Sequence, residues 1–221
     1  MEILNLSTKE LSNIVNNNET IGCGSYGIIF KLDGNTLFKF KYKDFIEEFE
    51  KEGRIINLKK LKNVSKKIKI LKDVYNGEDP TENIKNIIKL QNKIKLTKLT
   101  KGLVLVNDFC VGYLLHYHKN MENLYDYLIK NDLSLDVRKN IYNKIEKAVK
   151  ELYYNNIFVC DLTTRNILFN PKTNEIQLID FEDAFTRYTV DFVDNNLDAV
   201  KEKLENLKDF LLQEETNEKS M

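Results

Sequence analysis

The sequence predicts a mixed α+β fold, because strand patterns occur early in the chain and long helical patterns follow later. Apolar and alternating runs bounded by turn residues occupy residues 19–43, whereas amphipathic helical spacing begins at residue 134 and again at residue 196. Strands followed by helices are typical of α+β folds. The chain has 221 residues, 42% of them hydrophobic, which suffices for one sizeable domain or two small lobes.

Charge and cysteine content argue against several classes of protein. Thirty-four Lys and Arg residues balance 34 Asp and Glu residues, so no overall charge favours nucleic acid, membrane or acidic substrates. Three widely spaced cysteines form no C-x-x-C pair, which argues against a disulfide scaffold or zinc cluster and suits a reducing compartment. The N-terminus lacks a signal-peptide pattern, and no run approaches the roughly 18 apolar residues of a membrane span. We therefore expect a globular cytoplasmic protein with no membrane partner.

The first elements are predicted from a capping box and a hairpin turn. Ser7 and Glu10 have capping-box spacing, which predicts a short helix over residues 7–15. The turn Asp-Gly at residues 33–34 separates I-I-F-K-L from T-L-F-K-F, as in a β-hairpin. The run I-G-C-G-S-Y-G at residues 21–27 then links a first strand to a second. Such a run either cradles phosphate or forms an ordinary tight turn, and the glycines alone do not distinguish the two.

The middle of the chain carries the strongest local charge bias. Residues 44–62 and 84–94 have helical spacing of apolar residues. Residues 59–72 contain seven lysines and no acid, and lysines continue to Lys101. The simplest interpretation of this lysine-rich segment, residues 59–101, is a solvated helix face, and the alternative is a docking surface for an acidic protein or RNA.

The second half predicts a hairpin, a long helix, a second strand pair and a final helix. Residues 102–106 and 110–117 are two apolar segments of strand length. Ser134 is placed to cap a long amphipathic helix that ends near residues 155–156. Two apolar segments then flank the turn P-K-T-N at residues 171–174, and a leucine stripe with helical spacing follows near the C-terminus.

Groups suited to phosphoryl transfer follow the glycine-rich run in the order that this chemistry requires. Lys39 lies on the strand after the hairpin turn, where its ammonium could meet phosphates, and Glu52 on the next helix could hold that lysine in place. The segment V-C-D-L-T-T-R-N-I-L-F supplies Asp161 and Asn166, and L-I-D-F-E-D supplies Asp180 after a strand. Carboxylate and amide oxygens are suitable ligands for Mg²⁺ that also binds substrate phosphates.

These motifs together resemble the protein kinase superfamily over residues 22–181. I-G-C-G-S-Y-G-I-I-F resembles the glycine-rich loop, T-L-F-K the strand with the nucleotide-binding lysine, and Y-L-L-H-Y-H the strand leading into the hinge. D-L-T-T-R-N-I-L resembles the catalytic loop and D-F-E the metal-binding D-F-G. The resemblance implies a single kinase-like domain over residues 1–221. Its β-rich N-lobe would span residues 1–117, including the lysine-rich insert at about 59–100, and its reduced helical C-lobe residues 118–221.

The resemblance also implies roles for individual residues. Asp161 would orient or deprotonate the acceptor hydroxyl, supported by the ion pair of Lys39 with Glu52. Asn166 and Asp180 would hold Mg²⁺ or Mn²⁺. The residues implied to bind ATP are Gly22, Gly24, Ser25, Gly27, Ile29, Lys39, Leu115, His116 and His118.

Several positions depart from the family pattern. Cys160 and Thr163 replace an arginine and a lysine of the usual catalytic loop, with Arg165 a candidate for the missing cation. Glu182 replaces the last glycine of D-F-G, and D-F-E is similar to the motif of choline and aminoglycoside kinases. D-L-T-T is similar to the catalytic loop of the small kinase-like ATPase of the tRNA threonylcarbamoylation complex. Only 41 residues follow Asp180, which implies a truncated kinase without a phosphorylated activation loop.

The resulting expectation is Mg²⁺-dependent transfer of the ATP γ-phosphate to a protein hydroxyl, Ser/Thr rather than Tyr, with autophosphorylation included. One alternative is a small-molecule kinase, in which Glu182 and Asp183 would hold a cationic substrate. A second is an ATPase of an RNA-modification complex. A third is a pseudokinase or partner-activated ATP-binding module, which the missing large-lobe helices and Thr163 favour.

Overall fold

The chain divides into two compact units. The first comprises Met1–Lys89 and Leu99–Lys119, and the second Leu90–Lys98 and Asn120–Met221. The computed structural model describes residues 2–24, 27–41, 80–106, 109–159, 161–181, 184–186 and 195–212. The helix predicted over residues 44–62 and the most lysine-rich stretch lie outside these ranges. The described ranges contain both helices and a six-stranded sheet, which confirms the predicted mixed α+β class.

The six-stranded sheet belongs to the first unit. Its strands are β1 (Glu2–Leu6), β2 (Thr20–Gly24), β3 (Gly27–Lys31), β4 (Thr36–Phe40), β5 (Gly102–Val106) and β6 (Phe109–His116). Their order across the sheet is β1-β5-β6-β4-β3-β2. The two predicted hairpins are therefore present. β1 was not predicted, and it pairs in parallel with β5 whereas the other neighbours are antiparallel.

One face of this sheet is covered by helix α1 (Thr8–Asn17). The helix begins with the predicted capping box, in which the Ser7 N–H donates to Glu10 Oε2 (2.7 Å) and the Glu10 N–H donates to Ser7 Oγ (3.3 Å). The helix and the sheet share one buried cluster, formed by Leu11, Val15, Ile28, Phe30, Phe38, Phe40, Val104, Val106, Val111 and Leu114. The aromatic residues of β4 at even positions therefore point into this core.

The segment of residues 84–94 is only partly helical. Helix α2 (Pro80–Lys89) is followed by a 3₁₀ turn at Gln91–Lys93. The helix ends because the next residues belong to the second unit, where the N–H groups of Lys95 and Leu96 donate to the Glu151 carboxylate at 3.0 and 2.8 Å. These contacts are long-range, so the helical spacing of the sequence does not predict them.

A buried side chain also holds the 90–98 segment in the second unit. Gln177 is 5% exposed and accepts from the Lys98 N–H at 3.0 Å, while its own Nε2 donates to the Lys98 carbonyl at 3.0 Å. Thr97, also buried, donates through its hydroxyl to the Leu178 carbonyl at 3.2 Å and contacts the Gln177 amide. Because buried polar groups cost free energy when unpaired, this network specifies one docked position for the segment.

The second unit is built around three helices. They are α3 (Leu124–Lys130), α4 (Leu135–Tyr154) and α5 (Asn195–Leu212). α4 buries the face that the sequence predicts, with Ile141, Ile145, Ala148, Val149 and Leu152, together with Tyr142. Ser134 occupies the N-cap position of α4, but its side chain makes no capping hydrogen bond within the described residues. α5 packs on α4 through its predicted apolar stripe, which is the physical reason for the stripe.

Short strands complete the second unit. β7 (Glu122–Asn123), β9 (Ile167–Asn170) and β10 (Glu175–Leu178) form a three-stranded sheet in the order β10-β9-β7. β8 (Ile157–Phe158) pairs with β11 (Phe185–Thr186). The predicted strand pair around the P-K-T-N turn is therefore the β9–β10 hairpin. In the described ranges, none of the helices combines the length and apolar character needed to cross a membrane.

Candidate functional site

Two predicted site residues of the second unit contact each other directly. Asn166 Nδ2 donates to the Asp161 carboxylate at Oδ2 (2.8 Å) and to the Asp161 carbonyl oxygen (3.0 Å). The Asn166 N–H donates to the Thr163 carbonyl (3.0 Å), which closes a 3₁₀ turn over Thr164–Asn166. The Nδ2 group of Asn166 is thus engaged with Asp161, so Oδ1 is the side-chain atom of Asn166 that could bind a metal. The Asp161 residue is exposed.

The β9–β10 hairpin brings Asp180 to the same place in the second unit. Ile167 pairs with Leu178 at the end of the ladder, and the Ile179 N–H donates to the Asn166 carbonyl at 2.9 Å. Asn166 and Asp180 therefore flank the open end of one hairpin. The register of the hairpin places Asn166, which precedes β9, close to Asp180, which follows β10. The sequence predicts these two residues as metal ligands but does not specify the register.

Asp180 has a left-handed backbone conformation, with φ 68°. This conformation costs roughly 1–2 kcal/mol for residues with a Cβ, although Asp and Asn tolerate it best. Such conformations concentrate at functional positions because only the surrounding structure maintains them. The strained backbone indicates a functional role for Asp180, and this indication does not depend on the D-F-E motif.

In the first unit, several predicted nucleotide-binding residues share one face of the sheet. The strand register pairs Gly22 with Ile29, Ile29 with Lys39, and Lys39 with Tyr113. Paired residues point to the same side, so these four form a row across β2, β3, β4 and β6. The row lies opposite the face covered by α1, because β4 alternates and its Phe38 belongs to the core cluster. Leu115, which pairs with Leu37, follows in the next row on the face of Lys39.

Lys39 is a buried cation. All five residues of β4 are buried, and Lys39 is 8% exposed. Two residues further on, Lys41 Nζ donates to the Tyr113 hydroxyl at 3.1 Å. Lys41 and Tyr113 are not among the site residues that the sequence predicts. The alternation of a strand was the available signal, since residues 39 and 41 lie on one side.

The two histidines of the predicted hinge occupy different positions from Lys39. His116 pairs with Thr36, which places it on the opposite side of β4 from Lys39. The ring of His118 lies 6.2 Å from that of His116, centroid to centroid. Between them, the Tyr117 N–H donates to the Asn35 carbonyl at 3.0 Å. The resemblance assigns adenine binding to the backbone of this segment, and that role stays a prediction.

The glycines of the glycine-rich run have different structural reasons. A Cβ at Gly27 would lie 2.3 Å from the Phe40 carbonyl oxygen, so the packing of β3 on β4 requires glycine there. At Gly22, the nearest atom among the described residues is Ile29 Cδ1 at 4.0 Å, so this part of the chain has room for a Cβ. Gly24 pairs with Gly27 at the end of the hairpin. At Gly22 the described residues give no packing reason for a glycine, which suits close approach of a ligand to the backbone.

Two other predicted site residues, Ser25 and Glu52, lie outside the described residues. The candidate cation Arg165 is described, and its guanidinium carbon lies 4.6 Å from the centroid of the Tyr125 ring on α3. Its carbonyl accepts from Asn123 Nδ2 at 2.5 Å. Arg165 therefore anchors the loop to α3 by a cation–π contact and to β7 by a hydrogen bond.

A cavity of about 320 Å³ adjoins the predicted catalytic loop within the second unit. One wall is formed by residues 161–164 of the loop, and the other by Lys203, Asn206, Leu207 and Phe210 of α5. From the sequence, the leucine stripe of α5 is most simply a core-facing stripe and less often the docking face for a partner. No local pattern could have revealed this cavity, because its two walls are distant in sequence.

The side chains of Asn166 and Asp180 fit a divalent metal whose coordination is completed by other ligands. In the described ranges, no group of three or more His, Cys, Asp or Glu side chains could hold a metal ion. Mg²⁺ bound by one or two carboxylates or amides together with substrate phosphates and water needs no such group.

No protein-family model matches this sequence, and no curated protein is significantly similar to it.

Proposed function

We propose that this protein is an ATP-dependent phosphotransferase that uses Mg²⁺ or Mn²⁺ and transfers the γ-phosphate to a protein hydroxyl. The observation that carries the proposal is the contact of Asp161 with Asn166 at the open end of the hairpin that also leads to Asp180. Phosphoryl transfer requires a group that orients the acceptor and oxygen ligands for a metal. Three side chains of these types lie in one small region of the second unit.

The geometry of Asp161 suits an acceptor-orienting role. Asn166 holds one carboxylate oxygen, Oδ2, at 2.8 Å, and thereby restricts the rotation of the carboxylate. The other oxygen, Oδ1, is then the atom that would accept the hydroxyl proton of the acceptor. A positioned carboxylate at an exposed site reaches a substrate that approaches from solution. Positioning of this kind supplies much of the acceleration in phosphoryl transfer.

The first unit supports nucleotide binding through two features. Lys39 is a buried ammonium on a central strand, and Gly22 lies in the same row of the sheet with room for a close approach. A fixed cation and an unobstructed backbone are the groups that bind phosphate oxygens in a glycine-rich loop. Bound Mg²⁺ would supply charge neutralisation on the phosphates, with Asn166 and Asp180 as its protein ligands.

Two observations bear on the alternatives. The cavity beside Asp161 contains Lys203, which disfavours a cationic small-molecule acceptor. The residues invoked for that alternative, Glu182 and Asp183, lie outside the described ranges. The position of Arg165 over Tyr125 favours the second candidate function, a partner-activated ATP-binding module, because the candidate for the missing cation is already engaged with an aromatic ring.

The test is an assay with γ-labelled ATP and Mg²⁺ or Mn²⁺ that follows label on the protein itself, label on a generic protein substrate, and free phosphate. Asp161→Asn should lower transfer by about a hundredfold or more, because it removes the carboxylate that accepts the proton. Asp180→Asn should lower it through loss of a charged metal ligand. The matched control is Asp136→Asn, an exposed aspartate on α4 that contacts no proposed site residue in the described part of the chain.

The same assay separates the two candidate functions. Equal labelling by the wild type and by both site variants would contradict the proposed phosphotransferase, because the transfer would then not depend on Asp161 or Asp180. ATP binding without label or hydrolysis in the wild type would also exclude a stand-alone enzyme, and turnover that appears only on addition of a partner would support the partner-activated module.

A further inference from the structure

The cavity between the predicted catalytic loop and α5 is lined by one face of that helix. Lys203, Asn206, Leu207 and Phe210 have the spacing i, i+3, i+4 and i+7, so their side chains lie in one stripe. The facing wall is the loop of residues 161–164, which begins with Asp161. α5 therefore places four side chains beside the carboxylate that we propose orients the acceptor.

Lys203 places a positive charge on the α5 wall of this cavity, whereas Asp161 places a negative charge on the loop wall. The other two lysines of α5 each pair with an acid on the same helix: Lys201 with Asp198 at 3.1 Å, and Lys208 with Glu205 at 2.8 Å. Lys203 is half-buried and makes no ion pair within 4.0 Å in the part of the chain that the structure describes. A half-buried ammonium without a partner acid favours an anionic ligand beside it.

The remaining surface of the cavity is mostly apolar. Leu162 and Leu207 are 7% and 5% exposed, and they form its buried part. Phe210 is 49% exposed, although it is a large apolar residue. Its exposure beside a cavity offers a flat surface on which an apolar side chain of a ligand can pack.

We propose that this cavity binds the phosphoryl acceptor, and that the acceptor is an acidic protein segment with an apolar residue near its hydroxyl. The inference rests on the phosphotransferase function proposed above. The apolar residue would pack between Leu207 and Phe210, the acidic residue would pair with Lys203, and the hydroxyl would face Asp161. The reaction breaks the bond between the γ-phosphorus and the ADP oxygen and forms a bond to the hydroxyl oxygen. The hydroxyl proton passes to Asp161 and then to water, so the products are ADP, the phosphorylated segment and one proton.

The experiment compares two probe proteins of opposite charge, dephosphorylated casein, which is acidic, and histone, which is basic. Each is offered with γ-labelled ATP to the wild type, to Lys203→Met and Lys203→Glu, and to the matched control Lys201→Glu. The measured quantity is the ratio of casein labelling to histone labelling. Release of ADP by the wild type without any probe is measured in parallel, to show whether the chain turns over ATP.

The wild type should label casein in preference to histone, and Lys203→Glu should lower the ratio by about tenfold or more, the effect of 1.4 kcal/mol in transition-state binding. Lys203→Met should give an intermediate ratio, and Lys201→Glu should keep the ratio of the wild type. Phe210→Ala should reduce labelling of both probes. The melting temperature of each variant identifies losses that are due to unfolding, and the milder Lys203→Met then decides the outcome.

Two results would overturn the inference while leaving the proposed function intact. The first is a ratio that is the same in Lys203→Glu as in the wild type. The second is a loss that is equal for both probes, which would assign Lys203 to the nucleotide phosphates and not to the acceptor. Absence of ADP release and of label in the wild type would overturn the phosphotransferase function itself, and the acceptor site with it.

Discussion

Replacing Gly27 with alanine should destabilise the first unit, whereas the same replacement at Gly22 should not. At Gly27 the new Cβ would lie 2.3 Å from the Phe40 carbonyl oxygen and 3.2 Å from the Phe40 carbonyl carbon. Both are backbone atoms of the paired strand β4, so no side-chain rotation relieves the contact. To reach 3.0 Å, the two strands must separate locally by roughly 0.7 Å.

The magnitude follows from two opposing terms. Overpacking of this kind costs about 1–3 kcal/mol. Replacement of glycine by alanine also reduces the conformational entropy of the unfolded chain, which stabilises the folded state by about 0.4–1 kcal/mol. For Gly27→Ala the central values, about 2 and about 0.7 kcal/mol, give a net destabilisation of roughly 1–2 kcal/mol. For Gly22→Ala only the favourable term applies, because the nearest described atom would be 4.0 Å from the Cβ.

The assay is thermal and urea unfolding of the wild type and of the two variants without nucleotide. At about 2–4 °C per kcal/mol for a chain of this size, Gly27→Ala should lower Tm by about 2–8 °C, whereas Gly22→Ala should leave Tm unchanged or raise it. On addition of ATP and Mg²⁺, Gly22→Ala should show a smaller rise in Tm than the wild type, since a Cβ would obstruct the phosphates. Destabilisation by Gly22→Ala equal to that by Gly27→Ala would refute the reasoning, because both glycines would then serve the fold.

Three further results are expected. Asp180→Gly should be more stable than Asp180→Ala by roughly 1 kcal/mol in urea unfolding, because only alanine is strained at φ 68°, by about 1–2 kcal/mol, and the greater freedom of glycine in the unfolded chain offsets about 0.4–1 kcal/mol of this; a less stable Asp180→Gly would contradict strain of this size. The hydrogen bonds from the Ser7 hydroxyl and N–H lower the pKa of Glu10, so this carboxylate stabilises the fold above the ordinary glutamate pKa and loses that effect as pH falls through the lowered value. The urea midpoints of Glu10→Gln and the wild type should therefore differ at neutral pH and converge in acid, and a difference that is constant with pH would contradict the capping box as its source. Gln177→Leu should cost about 1–3 kcal/mol, because it removes the hydrogen bonds of a buried amide to the N–H and the carbonyl of Lys98; hydrogen exchange at the Lys98 amide should accelerate, and unchanged protection would argue against the network.

Elements specified by neighbouring residues were predicted well. The capping box of α1 joins residues three apart, and the apolar face of α4 repeats with the period of the helix. The hairpin of β3 and β4 follows from its turn residues. In each case the determining interactions lie within a few residues, so the amino-acid pattern carries the structural information directly.

Elements specified by distant residues were missed. β1 has five residues and pairs in parallel with β5. This pairing requires glycine at residue 102, because a Cβ there would lie 2.1 Å from the Glu2 carbonyl oxygen. The 90–98 segment leaves its helix because Glu151 and Gln177 hold it elsewhere. No window of sequence contains both partners of these contacts, and propensity within the window yields to the tertiary contact.

The sequence by itself determined the α+β class, the main helices and strands, and the residue types of the candidate site. Order along the chain and chemical character were enough to select Lys39, Asp161, Asn166 and Asp180. Only the tertiary structure decided which groups meet: the amide of Asn166 with the Asp161 carboxylate, and the Lys203 face of α5 with the loop that follows Asp161. The physical reason is that strand register and helix packing set distances between residues far apart in the chain, and these distances depend on the whole core and not on any local pattern.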